Sequence, residues 1–196
     1  VPAVLAGGQL ALFIFLASLF GASNVLQARQ FGVTRRMRAG PVTDGLIITG
    51  EAVSRFITAA LQALIIVGGT VALFHVDWGS PAAVAALSAG MALVGTGAAM
   101  LLGVVARTEQ QIGGVAMGVG LVMAALGGSM QPLHYFPDAI RPFAFITPHA
   151  WMNDALWDVQ VNGAGLGAVW GNVVVLGAAG TVLLAVAVLA MRRRMG

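Results

Sequence analysis

The sequence has no cysteine and no lysine, and only 9% of its 196 residues carry a formal charge. Without cysteine the chain forms no disulfide, no thiolate nucleophile and no cysteine-ligated zinc or iron–sulfur site. Without lysine it lacks the phosphate-binding residue of a P-loop ATPase and the amine of a Schiff-base enzyme. Soluble domains carry about 25% charged residues, so this chain has too few charges to cover a water-soluble surface.

Apolar residues dominate what is present, at 59% of the chain, and the mean hydropathy is +0.91. A disordered chain needs low hydrophobicity and high net charge, whereas the formal net charge here is only +3. The composition therefore predicts an integral membrane protein. All ten basic residues are arginine, and their positions indicate membrane topology, so no nucleic-acid partner is expected.

Five stretches are long and apolar enough to cross about 30 Å of hydrocarbon as helices. They are residues 3–26, 46–74, 82–105, 112–130 and 166–191. The sequence thus predicts an all-α, polytopic helical membrane protein, with residues 1–196 forming a single transmembrane domain. Two connections are long: a basic loop at residues 29–44, and a segment at residues 131–165 that four prolines interrupt.

The arginines predict the orientation, because basic residues favour the cytoplasmic side of a membrane. With the basic loop in the cytoplasm, eight of the ten arginines share that side, while Arg141 lies outside and Arg55 lies within a span. The C-terminus is then cytoplasmic and residue 1 is outside. The first span has no basic front like that of a signal peptide, so we expect a further span before it and six in the full subunit. The abundance of Ala, Gly, Val and Arg is typical of a GC-rich bacterial genome, and the expected location is the bacterial inner (plasma) membrane.

The basic loop at residues 29–44 contains more than a topology anchor needs. Phe31, Val33 and Met37 alternate with arginines, which favours a short amphipathic helix on the membrane plane. Gly40 and Pro41 end that helix. Two interpretations fit this pattern: an anchor that faces anionic lipid headgroups, or a rigid surface helix on which a cytoplasmic motor domain pushes.

Glu51 and Arg55 are spaced i, i+4 near the start of the second span, so they share a helix face. One interpretation is a mutually neutralising pair at the interface. The other is an intramembrane charge pair that serves as a gate or as a contact to the motor, because such residues are costly in lipid and face protein or water.

The outer segment at residues 131–165 is the most distinctive part of the chain. Glycines and prolines end the fourth span and break any single helix after it, and aromatic residues follow at headgroup depth. The residues that define the segment are Gly127, Gly128, Pro132, Pro137, Pro148 and Trp151. Such a segment either dips into the membrane as re-entrant helices covered by protein, or forms an ordinary amphipathic outer loop. The three histidines lack partners at ligand spacing, so no metal site is expected.

A glycine pair, Gly114 and Gly118, forms a G-x-x-x-G motif in the fourth span. Such a motif permits close approach of two helices. It fits packing within one subunit and also fits a contact between subunits.

Taken together, these motifs resemble the ABC-2 type export permeases, especially those of the daunorubicin-resistance and nodulation-factor export kind. The resemblance covers nearly all the chain from its first span onward. It is carried by Phe31-Gly32-Val33-Thr34-Arg35-Arg36 through Gly40-Pro41-Val42, by Ala106-Arg107-Thr108-Glu109-Gln110-Gln111, and by Gly127-Gly128, Pro132, Phe136-Pro137 and Thr147-Pro148-His149-Ala150-Trp151.

The resemblance implies a permease subunit of six spans that works as a homodimer or heterodimer above two ATP-binding cassette ATPase subunits. ATP and Mg would bind to the ATPase partner, and this chain would bind no cofactor. The basic loop would be the coupling helix and the outer segment a re-entrant hairpin that caps the exit. The residues expected to couple to the ATPase are Arg29, Phe31, Gly32, Arg35, Arg36, Arg38, Gly40 and Pro41.

The leading hypothesis is therefore export of a hydrophobic or amphipathic substrate, such as a drug-like metabolite, a lipid or a glycolipid, as in multidrug resistance. A membrane-embedded enzyme acting on lipid-linked substrates is the second hypothesis; its only candidate groups are the outer Asp138, His149, Asp154 and Asp158. A secondary transporter driven by an ion gradient is the third. Such transporters place ionisable groups near mid-membrane, and among the acidic residues only Glu51 qualifies.

Overall fold

The computed structural model describes the backbone of residues 2–195 and every side chain in that range except those of residues 2, 3, 34, 35, 38, 194 and 195. The described chain is helical, with no strand in residues 2–195, so the predicted all-α class is confirmed. The helices are α1 (Pro2–Phe20), α2 (Ala22–Gln30), α3 (Val33–Arg38), α4 (Asp44–Phe74), α5 (Pro81–Val105), α6 (Glu109–Leu126), a 3-10 turn (Leu133–Tyr135), α7 (Arg141–Ala144), α8 (Pro148–Val161) and α9 (Trp170–Met195).

Within the described residues, five helical stretches have the length and apolar character needed to cross a membrane. They are Val4–Gln30, which joins α1 and α2, then Asp44–Phe74, Pro81–Val105, Glu109–Leu126 and Trp170–Arg193. The fourth ends earlier than the predicted residue 130, because the chain turns at Gly127 and at Gly128, which has φ +83. The fifth begins later than residue 166, since residues 163–169 form turns and coil.

Four helices begin with the same device, a serine or threonine side chain that accepts a hydrogen bond from a backbone N–H of the first turn. The caps are Thr43 on α4, Ser80 on α5, Thr108 on α6 and Thr147 on α8. Pro81 and Pro148 follow two of them at the first helical position, where proline costs no hydrogen bond. These caps fix where each helix leaves its loop.

α5 is the central helix, and it packs most closely against α9. A Cβ on Gly90 would lie 2.9 Å from the Leu176 Cβ, and a Cβ on Gly97 would lie 2.7 Å from the backbone nitrogen of Leu184. A Cβ on Gly180 of α9 would likewise lie 2.7 Å from the backbone nitrogen of Val94 in α5. The residue numbers of the contacting positions increase in the same direction along both helices, so α5 and α9 run parallel in close contact.

The predicted motif of Gly114 and Gly118 does not serve this packing. Nothing in the described chain lies within 4 Å of a Cβ built on either residue. The interpretation as packing within one subunit is therefore wrong for this pair, because their face of α6 is open. Gly90 and Gly97 of α5 and Gly180 of α9, by contrast, do pack within the subunit.

Candidate functional site

The basic loop at residues 29–44, which is the predicted coupling segment, contains the short helix α3 between two turns that join it to α2 and α4. After α2 ends, Gly32 adopts φ +66, a left-handed conformation that glycine accepts without strain. The six-residue helix α3 follows, and Gly40 and Pro41 lie in the exposed turn between α3 and the Thr43 cap of α4. One short helix thus connects α2 directly to α4.

The surface of this segment combines apolar and basic side chains. Phe31 is 70% exposed, and Val33, Met37 and Arg36 are exposed as well. The predicted coupling residues Arg35 and Arg38 lie outside the residues whose side chains are described. An exposed phenylalanine beside arginines is typical of a surface that a protein partner or a membrane covers.

Arg29, by contrast, is turned towards the transmembrane helices. Its Nη1 donates to the carbonyl oxygens of Gly103 and Val104, both at 2.9 Å, at the C-terminal end of α5. A cation is favourable there because the helix dipole is negative at that end. Nearby, Gln27 Nε2 donates to Glu109 Oε1 at 2.7 Å. These bonds brace α2 against the turn between α5 and α6.

The charge pair of α4 is partly buried against the neighbouring helices. Arg55 Nη2 donates to Glu51 Oε1 at 2.5 Å, and the Arg55 side chain is only 8% exposed. Arg55 follows Asp44, the first residue of α4, by eleven positions, a distance of about 16 Å along the helix at about 1.5 Å per residue. A Cβ on Gly21 would lie 2.8 Å from Arg55 Nη1. The guanidinium therefore rests on the break between α1 and α2, and a methyl group at residue 21 would displace it.

Glu51 and Arg55 belong to a polar crevice between α1–α2 and α4, a cavity of about 170 Å³. Seven of its ten lining residues carry polar side chains. The lining residues are Ala17, Ser18, Gly21, Asn24, Glu51, Ser54, Arg55, Thr58, Ala59 and Gln62. On α4, Glu51, Arg55, Thr58 and Gln62 are spaced i, i+4, i+7 and i+11, so they form one stripe along the helix.

Some of the crevice side chains are already bonded and others are available. Gln62 Nε2 donates to the Phe13 carbonyl at 3.1 Å and ties α4 to α1, while Ser18 and Thr58 donate to carbonyls of their own helices. Asn24 and Ser54 are exposed in the crevice, with no side-chain partner among the described residues. Polar groups at membrane depth face protein, water or a polar part of a ligand.

The outer segment folds into a compact cap over the end of the helices. Asn153 Nδ2 donates to the Gly127 carbonyl at 2.8 Å and to Ser129 Oγ at 3.0 Å. A Cβ on Gly8 of α1 would lie 2.4 Å from the Ser129 carbonyl oxygen, and one on Gly127 would lie 2.3 Å from the His149 Cβ. Glycine is thus required where the turn meets α1 and α8.

Two further hydrogen bonds hold the cap to α9 and to itself. Asn172 Nδ2 of α9 donates to the Trp151 carbonyl at 2.9 Å, and Trp151 Nε1 donates to the Phe145 carbonyl at 2.8 Å. Pro132 precedes the 3-10 turn, and Pro148 starts α8. Pro137 accepts, through its carbonyl, the backbone N–H groups of Ile140 and Arg141.

The acidic residues and the histidine of the cap do not form a common reaction site. His149 is fully buried, contacts the Phe15 ring edge-to-face at 4.9 Å, and has no partner for either ring nitrogen among the described residues. Burial lowers the pKa of His149 to about 4, so the ring is neutral at pH 7. Burial and the neighbouring Asp158 raise the pKa of Asp154, against the opposing effect of Arg141, whose Nη2 lies 3.6 Å away.

Sequence reasoning found the Glu51–Arg55 pair but not the polar crevice. It noted Asn24, Ser54, Thr58 and Gln62 only as scattered polar residues of the spans. The regular spacing along α4 was a usable signal, whereas the approach of Gly21 and Asn24 to α4 depends on tertiary packing.

Comparison with known proteins gives two matches of different kinds. Residues 4–161 match the family described as ABC-2 type transporter. The chain is also similar to the linearmycin resistance permease protein LnrN of Bacillus subtilis (strain 168), with 31% identity over 162 residues. The aligned region covers 81% of this chain and 41% of that permease, so the chain spans about two fifths of the length of this relative. No solved structure matches the chain.

Proposed function

The chain belongs to the ABC-2 type transporter family, and from that premise we propose that it is the membrane-spanning permease subunit of an ATP-driven exporter. It is a multi-pass membrane protein, and its family and its relative are named as transport proteins rather than enzymes. ATP and Mg bind to a separate ATPase subunit in this proposal. The location is the bacterial inner membrane, with the C-terminus in the cytoplasm.

The observation that carries the proposal is the position of the polar crevice. Its two walls are α1–α2 and α4, the helices on either side of the coupling segment. A force on α3 therefore acts on both walls, because α3 is joined to α2 by a two-residue turn and to α4 by residues 39–43. In this proposal the ATPase subunit binds the exposed side chains of Phe31 and Arg36.

The crevice also indicates the kind of cargo. Its lining is polar, whereas the neighbouring exposed face of α4 carries Ile57, Leu61 and Leu64. A molecule with one polar and one apolar part matches both surfaces at once. Asn24 and Ser54 are the side chains available to bind the polar part, so the cargo is amphipathic, such as a drug-like metabolite or a lipid.

In this proposal Glu51 and Arg55 act as the gate of the crevice. The Arg55 guanidinium reaches from α4 onto Gly21 at the break between α1 and α2. When α4 moves relative to α1–α2, this contact opens, and the polar lining becomes accessible along its length. The ion pair keeps the net charge of the gate at zero, which limits the cost of holding it in the membrane.

The open glycine face of α6 is the place for a second permease subunit. No atom of the described chain lies within 4 Å of a Cβ built on Gly114 or Gly118. A G-x-x-x-G face permits close packing of a helix from another subunit. In the proposed dimer this face meets the same face of the partner or a corresponding face of a related chain.

The coupling assignment is tested by reversing the basic charges of α3. The variant Arg35→Glu, Arg36→Glu and Arg38→Glu is co-expressed with the ATPase subunit and compared with the same three positions changed to lysine. We expect the glutamate variant to lose ATPase binding and ATP-driven uptake of an amphipathic dye into inverted vesicles, because three charges change sign. The lysine variant retains both, since it keeps the charge.

Three outcomes contradict the proposal. Export and ATPase binding that survive the charge reversal remove α3 from the coupling path. Transport that persists without ATP but stops with a protonophore indicates an ion-driven transporter. Turnover of a lipid-linked substrate by the purified chain without nucleotide indicates an enzyme.

A further inference from the structure

One face of α8 carries most of the buried polar atoms that lack a partner. In the described chain, seven buried side-chain nitrogen and oxygen atoms make no hydrogen bond, and five of them belong to His149, Asn153 and Gln160. Spaced i, i+4 and i+11, these three residues share one face of the helix. The chain itself encloses the five atoms, so a helix added to the outside of the bundle does not reach them.

That face of α8 lies against α1. His149 contacts the Phe15 ring edge-to-face at 4.9 Å, and a Cβ on Gly7 would lie 3.2 Å from Gln160 Oε1 and 3.6 Å from the Leu156 Cβ. The two helices are therefore antiparallel, with the start of α1 beside the end of α8. We call this contact the polar seam; it is formed by Gly7, Gly8 and Phe15 of α1 and by His149, Asn153, Leu156 and Gln160 of α8.

α1 offers the polar groups of the seam no partner. The polar side chains of α1 are Gln9 and Ser18. Ser18 donates to the Ile14 carbonyl of its own helix, and neither residue lines the small cavity beside Asn153 and Gln160. No hydrogen bond joins α1 to α8 among the described residues. Because a buried polar group without a partner costs free energy, the closed seam is a weak contact.

The other contacts of α8 are bonded. Asn153 Nδ2 donates to the Gly127 carbonyl and to Ser129 Oγ in the turn after α6, and Asn172 of α9 donates to the Trp151 carbonyl. Hydrogen bonds thus hold α8 to the end of α6 and to α9, whereas van der Waals contact alone holds it to α1. When the cap moves relative to the bundle, the polar seam is the contact that separates first.

Water supplies the bonds that the seam lacks. A small cavity of about 10 Å³ already lies beside Gly7, Gly8, Asn153 and Gln160, and one water molecule needs about 10–15 Å³ of such space. An imidazole and two carboxamides all bond to water as donors and as acceptors. Entry of water therefore stabilises the separated seam relative to the closed one.

We propose that the polar seam is the outer gate of the permease, and that α8 separates from α1 along it while water solvates its polar side chains. This inference rests on the proposed function, because it supplies the moving contact at the outer end of the exporter. α1 connects the seam to the polar crevice. The Phe13 carbonyl accepts from Gln62 of α4 on the crevice side, and Phe15, two residues further on, contacts His149 in the seam. A displacement of α4 therefore reaches the seam through α1.

A disulfide across the seam tests whether it must open. The chain has no cysteine, and the 3.6 Å between a Gly7 Cβ and the Leu156 Cβ is within the range of about 3.5–4.5 Å found in disulfides. Gly7→Cys and Leu156→Cys are therefore combined in the full chain, which is reconstituted with its ATPase subunit. We expect oxidation to lower ATP-driven transport of an amphipathic dye about tenfold and reduction to restore it.

The matched control links two helices that are expected to stay together. Gly90→Cys and Leu176→Cys join α5 to α9, where the two Cβ atoms lie 2.9 Å apart and a small outward shift admits the disulfide. Its oxidation is expected to leave transport unchanged. Full transport by the oxidised seam variant, or an equal loss in this control, overturns the proposal. Absence of ATP-driven transport in the reduced variants and in the unmodified chain alike contradicts the proposed function instead.

A second measurement does not depend on transport. Leu156 faces Gly7 in the seam, whereas Val159 faces Gly79 in the loop before α5, since a Cβ on Gly79 would lie 3.1 Å from Val159 Cγ1. Both side chains are 1% exposed, so Leu156→Cys and Val159→Cys place equally buried thiols on two faces of α8. With the chain in nanodiscs, a small charged thiosulfonate is expected to react about tenfold faster with Leu156→Cys. Equal rates would show that α8 stays on α1, and they overturn the proposal.

The polar groups themselves are tested by Gln160→Met, which keeps a similar volume but removes two of the unpartnered atoms. In the Leu156→Cys chain, this change is expected to slow the reaction of the thiol about fivefold and to raise the melting temperature, because an apolar side chain favours the closed seam. Asn162→Met, at an exposed position, is the control and is expected to change neither. An unchanged or faster reaction in the Gln160→Met chain overturns the role given to water in opening the seam.

Discussion

At the scale of single residues, three of the chain's few ionisable side chains each have a distinct structural role. Arg29 closes the C-terminal end of α5, Arg55 crosses from α4 to the break at Gly21, and His149 is held neutral inside the cap. Arg29 and Arg55 contact backbone carbonyl groups and a glycine of other helices, and His149 contacts the Phe15 ring. The sequence shows the residues but not these partners, which lie 74 positions away for Arg29 and 34 for Arg55.

The buried His149 makes stability depend on pH. Its pKa is about 4 in the folded chain against 6.5 in the unfolded chain, and α8 lies outside the membrane spans. Below pH 6.5 the unfolded chain gains a proton that the folded chain does not, so stability is lost as the pH falls from about 6.5 to about 4. The full loss is about 3 kcal/mol at about 1.36 kcal/mol per pKa unit.

His149→Leu removes that contribution. Thermal unfolding in detergent, followed from pH 7.5 to pH 4, is expected to show a flatter decline for the variant than for the wild type. Comparing how steeply the melting temperature falls with pH in the two proteins cancels any pH-independent cost of the substitution and the opposing effect of Asp154. Parallel curves for the two proteins would show that His149 does not cause the decline.

Gly21 is the other residue with a specific prediction. A methyl group there moves the Arg55 guanidinium off the helix break, and we expect Gly21→Ala to lower ATP-driven transport about tenfold, a coupling change of about 1.4 kcal/mol. The Arg55 end is flexible, so the melting temperature should change little. Gly69→Ala is the control, because nothing lies within 4 Å of a Cβ at that position of α4. Equal transport by both variants would remove Gly21 from the gate.

At the scale of helices, the apolar runs predicted the five spans because length and hydropathy suffice for that inference. The predicted boundaries of the spans were wrong where apolar residues continue beyond the end of the helix. Leu166 and Val169 were included in the fifth span, yet both pack against the core from a turn before Trp170. Similarly, the fourth span stops at Leu126, since the backbone turns at two glycines that hydropathy does not penalise.

The cap over the outer end depends on α8 and, within it, on Asn153. Asn153→Ala leaves the Gly127 carbonyl and the buried Ser129 hydroxyl without this donor, which costs about 1–3 kcal/mol. Asn162→Ala is the matched control, because its bond to Asp158 is exposed to solvent, and the expected change there is within about 0.5 kcal/mol. Thermal shift assays of both variants decide the point, and similar melting temperatures would contradict the role given to Asn153.

At the scale of the whole molecule, the chain is a multi-pass member of the ABC-2 type transporter family, and the arginine distribution predicts that its coupling segment lies in the cytoplasm. The polar crevice lies between α1–α2 and α4, whereas a second, apolar cavity is lined by residues of α1, α5, α6, α9 and the outer segment. Sequence alone could not show either cavity, because each is formed by helices that meet only in the folded chain. It did supply the residues on which the coupling hypothesis depends, from Phe31 to Pro41.

Orientation is directly testable because the chain contains no cysteine. Met37→Cys and Ile140→Cys each introduce one exposed thiol, at the coupling segment and at the outer segment respectively. A membrane-impermeant maleimide added to intact cells that display the protein in their inner membrane, after permeabilising the outer envelope, is expected to label only Ile140→Cys. Labelling of Met37→Cys under these conditions would place α3 outside and exclude its contact with a cytoplasmic ATPase.

The glycine contacts hold the backbones of α5 and α9 in close contact along several turns. α4 differs, because only Ile48, Arg55, Ala59 and Ala63 of its 31 residues are buried. In the proposed exporter, α5 with α9 would therefore form the fixed part of the bundle and α4 the part that moves against it, so that a motion passed on by α3 would displace one long helix.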